Sequence, residues 1–221
     1  MKLAKEVAFL ELASLIGSCY WLETRLFESC GVLAQVVNSP ALCAHLDAQS
    51  RQHAWHAMLW EEQIPTIAGK AQHDFVRAPN QAVEHVFQLL EHQRPVNKEV
   101  SGTGERTGEQ GPNATEENGD QAIPSSPRSL SAHEIAMGMY RVVVPRLITS
   151  YNILYKHTSD ITAASTKRVL RLILSDELAG WQEGEMLVEQ LLCQETGETG
   201  MTLARLQELL EVPLTGIIGL L

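Results

Sequence analysis

Long apolar runs are missing from this 221-residue chain. A membrane-spanning helix needs roughly 20 consecutive apolar residues. Neither the N-terminal stretch Val7 to Ile16, which Glu11 interrupts, nor the tail Val212 to Leu221 supplies them, so no membrane partner is expected. The helical pattern continues past Arg25 without a cleavage site, which predicts that the N-terminus belongs to the mature protein. Positive charge is also scarce: 17 Lys and Arg stand against 27 Asp and Glu, a formal charge of −10. Affinity for a phosphate backbone comes from clustered cations that displace counterions, so no nucleic-acid partner is expected either. The four cysteines, Cys19, Cys30, Cys43 and Cys193, include no C-x-x-C pair and fall inside apolar helical patterns. They predict buried thiols in a reducing, cytoplasmic setting, not a disulfide framework or a thiolate zinc site. A Gly-x-Ser-x-Gly elbow, a phosphate loop and a dinucleotide glycine fingerprint are all missing, which argues against hydrolase and nucleotide chemistry. Aromatic residues make up 5% of a chain that is 44% hydrophobic, leaving Leu, Val, Ile and Ala to build the core, as in packed helices.

The pattern of those apolar residues predicts an all-α fold. From residue 3 to 37 they recur at helical spacing without a proline, and Asn38-Ser39-Pro40 then supplies a turn. A second helix follows over 40–64, opened by Pro40 in its first turn and closed by Pro65. The short turn predicts an antiparallel hairpin. A shorter amphipathic helix is expected at 80–93, from Val83, Phe87 and Leu90. Residues 94–128 are rich in Gly, Pro, Glu, Thr, Asn and Ser and hold no aromatic residue. Too little apolar area is available there to offset the entropy of ordering, which predicts a disordered crossover. A long helix is expected over 131–157, opened by a Ser131/Glu134 capping box and kinked at Pro145. Another is expected over 161–193, and a last short one over 202–211. The whole reads as one domain: two long helices, a short extra helix, a long connection, two further long helices and a last short one, a four-helix bundle with a crossover.

Each long helix turns a polar residue inward. On the first, the stripe Ile16, Tyr20, Glu23, Phe27, Cys30 carries Glu23 with its apolar neighbours. On the second, His53 and His56 share a face, one turn apart, with Leu42, Leu46, Gln49, Trp60 and Ile64. The third presents Tyr140 with Ala136, Val143, Leu147, Tyr151 and Leu154. The fourth presents Glu177 among Leu170, Ile173, Gly180, Gly184, Leu187 and Leu191, with Asp176 as its near rival. A buried carboxylate costs several kcal/mol unless something compensates it. Metal ligation and hydrogen-bonded ion pairing both do so, and carboxylates with imidazoles suit Fe, Mn or Zn better than Ca or Mg. Trp21, Trp55, Trp60 and Trp181 each lie within a turn or two of these residues, a setting compatible with a pocket or with ordinary core filling.

The strings Glu23-Thr24-Arg25-Leu26-Phe27-Glu28, Gln52-His53-Ala54-Trp55-His56-Ala57, Tyr140 to Leu147, and Asp176-Glu177 before Trp181 resemble uncharacterised bacterial proteins of the ferritin-like helical-bundle family. The resemblance covers the four long helices. In that family a di-metal site takes a Glu from each of two helices and a Glu-x-x-His from each of the other two. Carried onto this sequence, Glu23 fills the first role, and His53 and His56 occupy the Glu and His positions of the second helix. Tyr140 stands where a Glu is expected, and Glu177 opens a motif whose His position holds Gly180. The resemblance implies Fe or Mn on Glu23, His53, His56 and Glu177, Tyr140 and Arg141 flanking them, and oxidoreductase chemistry.

Two alternatives stay open in the sequence. His53 and His56 can be core histidines hydrogen-bonded to Glu23, Glu177 or Tyr140, and Glu23 can pair with Arg141 or Arg146. The chain is then a non-catalytic interaction or scaffold protein, whose apolar tail docks on the bundle or joins a neighbour as a homo-oligomer or with another protein.

Overall fold

Ser39 is the hinge of the first hairpin: its side chain accepts a hydrogen bond from the Leu42 N–H, and Pro40 takes the first helical position. The computed structural model describes residues 9–91 and 131–193. Within them α1 (Phe9–Val36) and α2 (Pro40–Glu61) pack along their whole lengths. A loop with one 3₁₀ turn, Gln72–Phe75, leads to α3 (Gln81–Glu91), which lies against α1. Close approach is required where that loop crosses α1, because a Cβ on Gly17 would sit 2.1 Å from the Phe75 carbonyl oxygen.

The third long helix comes as three pieces: α4 (Ala132–Met137), a π-helical turn (Gly138–Val143) and α5 (Val144–His157). The expected capping box closes its start, with Ser131 and Glu134 exchanging side-chain and backbone bonds. Pro145 explains the irregularity. The Val144 N–H reaches the Met139 carbonyl, five residues back. Continued in that register, the Tyr140 carbonyl would need the N–H of residue 145, which proline lacks. Trp181 supplies the donor from the neighbouring helix, its Nε1–H lying 2.8 Å from the Tyr140 carbonyl oxygen. The kink expected at Pro145 is thus a π turn just before it. Helix α6 (Ala164–Leu192) packs on α2, α4 and α5.

The described residues contain no strand, only an isolated bridge between Ile67 and Lys70, and the fold is all-α. One core joins Leu22, Leu26 and Leu33 of α1, Leu42, Leu46 and Trp60 of α2, Val83 and Phe87 of α3, Leu147, Tyr151 and Leu154 of α5, and Leu170 and Ile173 of α6. Among the described residues no helix is long and apolar enough to cross a membrane. Residues 3–8, the 94–128 segment, the helix expected at 202–211 and the apolar tail lie outside the described residues. One assigned stripe needs correction. Phe27 is exposed, and the buried positions of α1 run through Cys19, Leu22, Glu23, Leu26, Cys30 and Leu33; at about 100° per residue Glu23 forms one edge of that arc, and Phe27, roughly 40° beyond it, falls outside.

Candidate metal centre

Glu23, His53, His56 and Glu177 converge. All four side chains are buried, and one donor atom from each lies within 4.8 Å of every other. Helix α1 contributes Glu23, α2 contributes both histidines from adjacent turns, and α6 contributes Glu177. His53 Nδ1 is 2.7 Å from Glu23 Oε2 and 3.4 Å from Glu177 Oε1. His56 Nδ1 is 3.6 Å from Glu23 Oε2 and 3.2 Å from Glu177 Oε1. A tetrahedral ion with bonds of about 2.0–2.1 Å holds its donors about 3.3–3.4 Å apart, and those four distances straddle that value.

The outward atoms of two of these residues are also held. Tyr151 donates its O–H to Glu23 Oε1 at 2.5 Å, and His56 Nε2 faces Asp176 Oδ2 at 3.4 Å. A carboxylate behind an imidazole fixes which ring nitrogen points at the centre, as it does behind metal-ligating histidines. Glu177 has no such support: neither of its oxygens has a hydrogen-bond partner, and neither has His56 Nδ1. His56 Nδ1 and Glu177 Oε1 attract through charge at 3.2 Å without hydrogen-bond geometry.

Burial and charge compete at every member. Burial alone would raise the Glu23 carboxyl, but the hydrogen bond from His53 and the nearby charges of His53 and His56 bring it down to about 2. Burial would lower the His56 imidazolium, but the Glu177 and Glu23 carboxylates lift it to about 10. His53 moves well above its usual range in the same way, against burial, through the Glu177 charge and contacts with Cys30 and Glu23. Burial first, then the Glu23 charge, push the Tyr151 phenol up, so it stays a proton donor to Glu23. The Cys19 thiol is pushed up by burial and by Glu23 and stays protonated. The lowered Glu23 carboxyl and the raised His53 and His56 imidazoles thus favour one another's charged forms inside the core.

The flanking residues sit differently from the sequence expectation. Tyr140 is buried, but its hydroxyl has no hydrogen-bond partner. Its ring stacks at 5.2 Å from His45 and fills the space over Gly184, where a Cβ would lie 2.1 Å from Cδ1. Arg141 does not flank the centre. Its guanidinium pairs with Glu185 and Glu189 at the surface, as befits the residue next to the inward-facing Tyr140, since neighbours on a helix point about 100° apart. The Glu23–Arg141 pairing is therefore not made; His53 and Tyr151 take that place. Tyr151 is the residue whose role sequence reasoning missed. The signal was present, since it lies on the same inward stripe as Tyr140. The tryptophans form no single cluster: Trp55 lies 5.6 Å from the His56 ring, Trp60 stacks on Tyr151 and Trp21 on Phe87. No family model matches this sequence, and no curated protein and no solved structure matches it.

Proposed function

We propose that this chain is a metal-binding helical bundle of ferritin-like type that holds one divalent transition ion between Glu23, His53, His56 and Glu177. The observation that carries the reading is a set of buried ligand atoms without hydrogen bonds, both Glu177 oxygens and His56 Nδ1, of which Glu177 Oε1 and His56 Nδ1 face each other at 3.2 Å. A purely structural network would be expected to satisfy such atoms, since each one left unmade costs about 1–3 kcal/mol. Charge favours the same reading. A divalent ion can replace the two imidazolium protons and leave the buried centre neutral, so binding releases protons and strengthens with pH.

Imidazole and carboxylate donors without thiolate suit iron, manganese or zinc. Four protein ligands leave positions open on a six-coordinate iron or manganese, the ion that would supply one-electron chemistry toward dioxygen or peroxide. Four donors suit one ion, whereas a ferritin-like di-metal site uses six, two Glu and two Glu-x-x-His pairs. The chain's own residues then have plain tasks. Tyr151 and Asp176 aim Glu23 and His56, and the surrounding core excludes water.

A second reading, a non-catalytic scaffold with a structural polar network, draws on Glu23, which His53 and Tyr151 already satisfy. Metal analysis of protein expressed with iron, manganese and zinc available separates the two. The metal reading expects about one equivalent of a transition ion, lost in His56→Ala. Less than about a tenth of an equivalent in the wild type, together with a destabilised His56→Ala variant, establishes the scaffold instead.

A further inference from the structure

Helix α2 is apolar on more than its buried side. Its buried face carries His45, Gln49, Ser50, His53 and His56 beside Leu42, Leu46, Ala57 and Trp60. Its exposed face carries Ala41, Ala44, Ala48, Arg51, Trp55 and Met58, spaced alternately by three and four residues. That spacing is the seam of a helix that packs against another helix. Trp55 is 43% and Met58 61% exposed, large apolar side chains on one continuous stripe about 26 Å long at 1.5 Å per residue. An exposed stripe of this kind is an unfilled helix contact.

We infer that the outer face of α2 is the interface of a two-fold dimer, in which α2 packs antiparallel on α2 of a second copy. The argument is the distribution of size and charge along the stripe. Its N-terminal half is alanine and its C-terminal half is Trp and Met. An antiparallel pair centred between Gln49 and Ser50 sets Trp55 opposite Ala44, Met58 opposite Ala41 and Arg51 opposite Ala48 of the second copy, large against small in every layer. A parallel pair would set Trp on Trp, alanine on alanine and Arg51 on Arg51. Arg51 already binds Asp47 of its own helix at 2.9 Å, and in the antiparallel register it also comes one position from Asp47 of the second copy. The stripe is thus complementary to itself in shape and charge, as a two-fold interface requires. This inference is independent of the metal centre.

Sedimentation of the full chain over a concentration series tests it. The wild type is expected to be a dimer at micromolar concentration. Trp55→Glu and Ala44→Glu are each expected to weaken dimerisation about 30-fold or more, as for a buried interface anchor. Both substitutions fall on exposed positions, and an unchanged circular dichroism spectrum checks that the fold is kept. The double variant Ala44→Glu with Trp55→Lys places opposite charges face to face in the antiparallel register alone, and recovery of the dimer there supports the stated pairing. A wild type still monomeric at about 50 µM overturns the proposal, because a face covered by another segment of this chain or by a different partner gives that result. A dimer indifferent to both single substitutions also overturns it.

Discussion

Two buried polar levels lie along α2, about 12 Å apart at 1.5 Å per residue. At one, His45 meets Tyr140, and Gly180 and Gly184 of α6 give up side chains to make room for Gln49 and Tyr140. At the other, His53 and His56 meet Glu23 and Glu177. Burial pushes the His45 imidazole down and keeps it neutral, the nearby Glu183 only partly opposing it. At the second level carboxylates reverse the outcome of burial and raise both imidazoles, although His53 and His56 are the more deeply buried. The difference lies in the carboxylates: α1 and α6 bring the buried Glu23 and Glu177 to one level and only the exposed Glu183 to the other. A buried polar group requires volume; a buried charge requires a countercharge or an ion.

The comparison breaks most visibly at Glu23. Glu23→Ala removes the anion that His53, His56 and Tyr151 share, and is expected to cost about 3–5 kcal/mol of unfolding free energy in metal-free protein, the scale for breaking a buried charge network. Urea denaturation measures this, and a loss below about 1 kcal/mol would mean that the imidazoles are neutral.

The pH dependence of the metal-free protein comes next, because the two levels give it opposite signs. At the charged level His56 has its pKa raised from 6.5 to about 10, so the folded state binds more protons than the unfolded one in that interval. Stability from this source is complete below pH 6.5 and drains away as pH rises toward 10. Glu23, lowered from 4.5 to about 2, adds stability that is lost as pH falls below 4.5. At the neutral level His45 is lowered from 6.5, so its contribution is lost as pH falls below that value. Melting temperatures should therefore fall on both sides of pH 6.5. His45→Gln should flatten the slope just below 6.5 and leave the alkaline limb; a change in the alkaline limb would show that the levels titrate together.

Smaller effects test the neutral level. Gly184→Ala forces a methyl group to 2.1 Å from the Tyr140 ring, a packed aromatic with nowhere to go, and should cost about 1–3 kcal/mol. Gly180→Ala meets only the amide end of Gln49, which can swing aside, and the better helix propensity of alanine should bring its net effect near zero. Comparable melting-temperature losses in the two would contradict this account. Tyr140→Phe should change stability by less than about 0.5 kcal/mol, since the hydroxyl it deletes has no partner. A larger loss would reveal a bond to that oxygen.

The sequence made α2 fully readable, because two histidines three residues apart on a Leu and Trp stripe fix a helical face without ambiguity. Glu23 and Glu177 were readable for the same reason: a carboxylate in phase with apolar neighbours faces where they face. The third long helix was readable in part. Its inward stripe, Ala136, Tyr140, Val143, Leu147, Tyr151 and Leu154, is buried as expected, but nothing in the spacing announces the π turn or says that Tyr151 is the tyrosine that reaches Glu23. Asp176 could be noticed as a neighbour of Glu177, but its position behind His56 depends on how α2 and α6 approach. That approach is set by Gly180 and Gly184, whose meaning is visible only once Gln49 and Tyr140 occupy their notches.

The π turn at Gly138–Val143 amounts to one surplus residue in an otherwise regular helix, and its removal can be considered as an editing event. Deleting one residue there would restore an ordinary helix locally and improve the backbone. The helices on either side would keep their relative orientation, because a π turn absorbs the surplus residue within one widened turn. A deletion in the regular part of α6 has no such reserve and rotates everything beyond it by about 100°. Removing one residue other than Tyr140 within 138–143 should therefore be far better tolerated than removing one from the middle of α6.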